Sequence, residues 1–233
     1  MTSVQWLDSL GVLNERSVIA HCIFLDHHPW LHWTSRKDLE LLADCESTVA
    51  HCPTVFSRRG IALNTFGAYL DHGIRMSVGT DTYPHNMLDE CRTAVMVARV
   101  IGQSVTDLDC IDVFNAATVA GADALNRSDI GRLAVGCKAD FSTIDLTSPS
   151  MRPVREPLRS LITVAGSRPV TDVFVHGEQV VSNGDVLNID FELELTRLQV
   201  AQQNMLNVVS EKDWDNRSAV ELAPLMLTTV ESI

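Results

Sequence analysis

Three short apolar runs in this chain end on metal-competent residues spaced 30 apart. Ser17–Ala20 (S-V-I-A) leads into His21, Thr48–Ala50 leads into His51, and Met76–Gly79 reaches Asp81 two residues on. Helical patterns separate the runs. Arg36–Asp44 carries Leu39, Leu41, Leu42 and Ala43. Ala62–His72 carries Leu63, Phe66, Tyr69 and Leu70, with Gly73 placed to stop the helix. A strand–helix unit recurring every ~30 residues builds a parallel sheet. Short apolar strands without alternation suit burial on both faces. The fold class expected is therefore α/β.

The spacing predicts a longer helix over Met87–Gly102, capped by Asn86, with Asp89 and Glu90 in its electropositive first turn. Thr106–Leu125 reads as two helices meeting near Thr118, the first capped by Thr106. The texture changes after the glycine-bounded turns of Gly131–Gly136. Ala139–Leu146 reads as a strand, and Val170–His176 with Gln179–Val181 reads as a hairpin around Gly177. Asp190–Val209 reads as a surface helix burying Phe191, Leu195, Leu198, Met205 and Val209. Three regions are expected: 1–130 with the repeated units, 131–190 with the small β element, and 191–233 with a helix and tail.

A net charge of −12 disfavours nucleic acid and anionic membranes as partners, and leaves a small molecule. The six cysteines form no C-x-x-C pair and mostly sit in apolar runs, which suits a reducing, cytoplasmic setting. No basic-then-apolar leader and no apolar stretch of membrane-spanning length is visible. A flavodoxin-like binding domain is disfavoured, because no glycine-rich phosphate loop follows a strand.

In a barrel of βα units, side chains at the C-terminal strand ends converge on one site. His21, His51 and Asp81 all hold that position. Taken singly, a strand-end histidine also suits a structural hydrogen bond, and a strand-end aspartate suits a helix cap; the coincidence of all three points to a site. The segments V-I-A-H-C-I-F-L-D (18–26), V-A-H-C-P (49–53) and H-G-I-R-M-S-V-G-T-D-T (72–82), with the later I-G-R-L-A-V-G-C-K-A-D-F (130–141), resemble the amidohydrolase superfamily. The likeness is to its branch of deaminases and triazine hydrolases, and covers roughly residues 17–190.

That resemblance implies a partial (β/α)8 TIM-type barrel, strands 6–8 with their helices, then a small β element and a C-terminal helix. It implies a metal-dependent hydrolase or deaminase acting on a C–N or C–halogen bond of a small, heterocyclic substrate. Asp81 then matches the eighth-strand aspartate that binds the metal and shuttles a proton. His21 matches the sixth-strand histidine that contacts substrate. His51 matches a seventh-strand residue near the pocket and equally suits a structural hydrogen bond. Tyr83 and His85 lie on the loop after Asp81 as substrate contacts, although an exposed loop histidine is the commoner case. Phe56 and the Arg58-Arg59 pair are further selectivity candidates, against the plainer reading of a solvated loop. The cofactor implied is one divalent metal, zinc first, with iron or manganese also suited to oxygen and nitrogen ligands.

The chain departs from the family pattern at the metal site, where the first-strand H-x-H pair, the fifth-strand histidine and the glutamate that often follows it have no counterpart. No H-x-H occurs; His27-His28 is adjacent, so the two side chains would diverge in an extended segment. Asp81 is left as one convincing ligand with His21 nearby, where a catalytic zinc takes three. The expectation is a C-terminal part of a larger site, completed by a missing N-terminal half or by homo-oligomer formation. The competing expectation is a truncated, non-catalytic chain that at most binds a ligand or a partner.

Overall fold

In the computed structural model, which describes residues 1–166 and 169–227, the three apolar runs form strands. These are β1 (Val18–Ala20), β2 (Thr48–His51) and β3 (Arg75–Val78). They make one parallel sheet in the order β1-β2-β3, with Ala20 beside Ala50 and His51 beside Val78. The ladder continues past the strand ends. His21 N–H donates to the Ala50 carbonyl (2.8 Å), and Gly79 N–H donates to the His51 carbonyl (2.9 Å). This fixes His21, His51 and the Gly79–Asp81 turn along one edge.

Val49 and Met76 are buried in one cluster with Leu42, Phe66, Tyr69 and Val95, so β2 and β3 are covered as the lack of alternation predicted; β1 is a correction, for Val18 and Ala20 are exposed on a strand that has a neighbour on one side alone. Helix α1 (Ser3–Ser9) precedes β1, α2 (Asp38–Asp44) joins β1 to β2, and α3 (Pro53–Ser57) and α4 (Phe66–Asp71) join β2 to β3. The helix expected over Ala62–His72 starts only at Phe66, because Thr65 accepts from Ala68 N–H and caps it there. Gly73 follows with φ +76°, as a helix stop requires.

Helix α5 (Met87–Gly102) has the predicted bounds and the predicted Asn86 cap. Helices α6 (Cys110–Ala117) and α7 (Val119–Ala124) meet at Thr118 as expected. The cap of α6 is a correction: Asp109, not Thr106, holds that position, while Thr106 joins a turn with Ser104. The hydroxyl–hydroxyl contact inside the turn is nearer than the helix start.

The later strands β4 (Phe141–Ile144), β5 (Val170–Val175) and β6 (Glu178–Ser182) form an antiparallel run, and Gly177 turns the hairpin at φ +81°. Helix α8 (Pro157–Val164), which the prolines of that stretch concealed, starts on Pro157 at its first turn and buries Leu161 and Ile162. Arg92 of α5 donates to the Ile162 and Ala165 carbonyls (3.0 and 2.7 Å) and ties α8 down.

Contacts divide the chain into two compact units, Met1–Gly184 and a second beginning at Asp185. The second holds α9 (Phe191–Lys212), capped by Asp190, and α10 (Ala219–Leu222). The expectation that α9 buries Phe191, Leu195, Leu198, Met205 and Val209 is corrected: none of its residues is buried. Its periodicity marks an apolar face, and periodicity alone does not supply a surface to cover it. No helix of the described residues is long and apolar enough to cross a membrane. All six cysteines are free.

Candidate functional site

The site lies where β1, β2 and β3 end. His21 and Asp81 both leave their strands in the left-handed region, at φ 65° and 56°. For residues bearing a Cβ this conformation costs of order 1–3 kcal/mol each and concentrates at functional positions. The turns bring the two side chains together: His21 Nε2 lies 3.7 Å from Asp81 Oδ2, an ion-pair separation longer than a hydrogen bond. Both remain partly exposed, so the pair faces open space rather than the core.

His51, the last residue of β2, is buried behind them. Burial, and secondarily the charge of His21, pushes its pKa down to about 3, so the ring is neutral at physiological pH. Its edge meets Phe66 at 5.8 Å between centroids. The structural hydrogen bond weighed for His51 is not formed at Nδ1, which is buried without a partner; the same holds for His21 Nδ1. Cys52, next along, has its thiol raised to about 11 by burial and then by Asp81 and Glu90, so it stays protonated and is no thiolate nucleophile.

Further residues complete the frame, the first of them the selectivity candidate Phe56. Phe56 packs edge-on against His21, with ring centroids 4.7 Å apart at 68°. Phe56 rides on α3, which has no side-chain cap of its own at Cys52. The cap comes from α5: Thr54 N–H donates to Glu90 Oε2 (3.0 Å), and Glu90 is buried. Glu90 looked like an ordinary first-turn acid of α5; that it caps a second helix is visible only in three dimensions. Asp26 works in the same way on α2, accepting from Lys37 N–H (2.6 Å) and Asp38 N–H (3.3 Å). Asp38 returns the contact through Asp26 N–H (2.8 Å) and also accepts from Thr2 (2.7 Å). Two buried carboxylates thus brace the loop that follows His21.

Tyr83 and His85 stand apart from this cluster. Tyr83 is 77% exposed, and its backbone carbonyl accepts from Arg58 (2.7 Å). His85 is exposed and bonded through Nδ1 to the Thr80 hydroxyl (3.0 Å). The loop is held at Arg58 and Thr80, and neither side chain has a contact with His21 or Asp81 among those described.

Carboxylate oxygen and imidazole nitrogen suit a divalent ion in kind, and the two unpartnered Nδ1 atoms are spare donors. In number they fall short: among the described residues no group of three His, Cys, Asp or Glu side chains could hold a metal.

A profile of the amidohydrolase family matches residues 1–180. The chain belongs to the amidohydrolase family. Among curated relatives, the 5-methylthioadenosine/S-adenosylhomocysteine deaminase of Pyrococcus furiosus is 31% identical over 196 residues, which are 82% of this chain and 44% of that protein. The 5'-deoxyadenosine deaminase of Methanopyrus kandleri is 27% identical over 191 residues, 80% of this chain and 42% of that one. The structure superposes on a zinc-bound adenosine deaminase from Xanthomonas campestris with TM-score 0.78 and 27% identity, covering 86% of this chain and 45% of that one. It superposes on an atrazine chlorohydrolase mutant from Arthrobacter aurescens, complexed with zinc and atraton, with TM-score 0.76 and 25% identity, covering 86% and 44%. The chain spans under half the length of these relatives. Those relatives are deaminases and hydrolases of small molecules, which agrees with the reaction class that the motifs implied.

Proposed function

We propose that this chain carries strands 6–8 of an amidohydrolase barrel and the substrate-facing part of a metal-dependent hydrolase or deaminase site. The reaction is cleavage of a C–N bond, or a C–halogen bond, in a small heterocycle. The observation that supports it most is the convergence of His21 and Asp81 to 3.7 Å on the C-terminal edge of the parallel sheet, with neutral His51 behind them.

Asp81 would hold the metal, zinc in the first instance, and its free oxygen takes a proton from the attacking water and delivers it to the leaving group. A bound metal would supply Lewis acidity towards the attacking water. His21 faces the substrate and stabilises negative charge that develops as the ring carbon becomes tetrahedral. Phe56 fixes the His21 ring. Neutral His51 sets the polarity of the pocket floor, and Tyr83 and His85 line its mouth. The remaining ligands come from groups beyond those described, either an N-terminal half or a further copy.

A second reading is favoured by the short ligand set: the chain by itself does not turn over, and at most binds a ligand or a partner. One experiment separates the two. The chain is loaded with zinc, its metal content is measured by elemental analysis, and ammonia release from adenosine-type nucleosides and halide release from atrazine are followed. Near-stoichiometric metal with turnover supports the enzyme. Neither metal nor turnover, for the chain alone and again after mixing with the N-terminal half of an amidohydrolase relative, leaves the binding reading.

A further inference from the structure

A run of rings leads outward from His21 in unbroken contact. Phe56 packs on His21 (4.7 Å between centroids), and Phe24 meets Phe56 (6.4 Å). His28 and Trp30 meet Phe24 (4.9 and 6.2 Å) and each other (5.3 Å). All are aromatic contact distances. Phe24 is exposed although Ile23 and Leu25 on either side of it are buried, and Trp30 is 60% exposed. Contiguous exposed apolar surface of this kind marks a binding face.

The loop that presents Trp30 is shaped before anything binds. The buried carboxylates of Asp26 and Asp38 clasp its two ends, Asp26 accepting from Lys37 N–H and Asp38 from Asp26 N–H. Within it, Arg36 Nη1 donates to the carbonyls of Asp26 (2.8 Å) and Trp33 (2.6 Å). Trp30 N–H donates to His28 Nδ1 (3.2 Å). Burial, and then His27, lowers the His28 pKa, so the ring is neutral. The bond at Nδ1 therefore puts the ring proton on Nε2. His28 is only 6% exposed, yet this Nε2–H has no hydrogen-bond partner among the described residues.

That spare donor and the contact with His21 select an occupant. An apolar protein segment laid on these rings would seal the Nε2–H without an acceptor, which is unfavourable. It would also fill the space against Phe56, beside the group that must meet substrate. A heteroaromatic ring supplies π faces for Phe24 and Trp30 and a nitrogen acceptor for His28. Small-molecule sites have this make-up, apolar walls with few and fixed polar groups.

We propose that Phe24, His28 and Trp30 form a subsite for a second, heteroaromatic ring, carried as an arm on the substrate heterocycle that reacts at His21. The arm stacks on Phe24 and Trp30, and its ring nitrogen accepts from His28 Nε2–H. Because the clasped loop is already ordered, little is lost in fixing it when the arm binds. This inference rests on the heterocycle-cleaving site proposed above and names the kind of substrate that it takes.

The test is isothermal titration calorimetry of the full chain with adenine alkylated on its imidazole nitrogen by a methyl, a cyclohexylmethyl or a pyridylmethyl group. The pyridylmethyl compound should bind roughly tenfold more tightly than the methyl compound, and the cyclohexylmethyl compound should show less than half of that gain. Trp30→Ala, at an exposed position, should cut the pyridylmethyl gain to about twofold and leave the methyl compound within about twofold of wild type. His28→Phe keeps a ring and removes the donor, and should lower the pyridylmethyl gain about threefold. Equal constants for the methyl and pyridylmethyl compounds overturn the proposal, as does a gain that Trp30→Ala leaves intact or the absence of binding by all three at millimolar concentration. If His28→Phe does not fold, Trp30→Ala decides. Turnover and metal content do not enter these constants. Failure of the enzyme reading therefore leaves the pyridylmethyl gain in place, and failure of the subsite leaves any turnover of the methyl compound in place.

Discussion

The parallel and antiparallel sheets of the first unit use strands of similar length, three to six residues, in opposite ways. Strands β2 and β3 are buried at Val49, Thr48, Met76 and Ser77, whereas β4 is exposed over most of its length. Each sheet also presents a carboxylate. Asp81, beyond β3, has His21 for a neighbour and no hydrogen bond to its side chain among the described residues. Asp172, within β5, accepts from Thr143 (2.8 Å) and Gln179 (3.0 Å). The first carboxylate is left free by a rigid, covered frame; the second is consumed in holding an exposed one. A reactive group must be underdetermined by its own contacts and overdetermined by its scaffold, and only the parallel sheet meets both conditions.

The sharpest way to break this contrast is to neutralise each carboxylate in turn. Asp81→Asn should lower turnover of the competent enzyme by on the order of 10²–10⁴, because the side chain loses its capacity to carry a proton. Its urea midpoint should stay near wild type, since no buried bond is lost. Asp172→Asn should leave turnover near wild type. If Asp81→Asn keeps normal rates, the assignment of the site to this strand edge fails.

Core truncation probes the scaffold. Met76 of β3 is 2% exposed, while Phe141 of β4 is 37% exposed and stacks on Phe174 at 4.5 Å. Met76→Ala should cost about 2–5 kcal/mol in urea denaturation. Phe141→Ala should lose chiefly its stacking, about 1 kcal/mol. Equal losses would mean that the antiparallel sheet carries as much of the fold as the parallel one.

The parallel half was largely legible because its signals are local and repeated. A 30-residue interval and apolar runs located β1–β3, and Asn86 located the start of α5. His21, His51 and Asp81 were reached from their strand-end positions, and the structure brings them to one edge. What the sequence withheld depends on long-range contacts. Glu90 capping α3 joins residues 36 apart, Asp26 braces α2 across a loop, and Phe56 meets His21 from another connection. Exposure was likewise unreadable for Tyr83 and for the stripe of α9, because patterning says which side is apolar and not what covers it.

Acid should strike the two halves at different pH. His51 has a folded-state pKa of about 3, against 6.5 when exposed. Because the unfolded chain binds the extra proton, stability is complete above pH ~6.5 and falls as pH drops towards 3, by up to about 1.4 kcal/mol per unit. Asp172 has its pKa lowered, first by the Thr143 hydroxyl. Its contribution is present above the unfolded carboxylate value and is lost only as pH falls through the depressed one. Urea midpoints of wild type and His51→Gln between pH 7 and 4.5 test this. The variant should show the flatter profile over that window, and identical slopes would mean that His51 is solvated.

The smallest effect concerns the cap that joins α5 to the site. Glu90→Gln keeps an acceptor for Thr54 N–H and should cost under about 1 kcal/mol, whereas Glu90→Ala strands that donor in the interior at about 1–3 kcal/mol. The kinetic consequence discriminates more than the stability. Thr54 and Phe56 share α3, and Phe56 sets the His21 ring. Glu90→Ala should therefore lower kcat while Asp81 retains its acid–base role, so the pH profile keeps its shape at reduced height. Glu90→Gln should restore the height. A profile displaced along the pH axis would instead make Glu90 a proton-carrying member of the site, and would shift the division of labour from one free carboxylate to two.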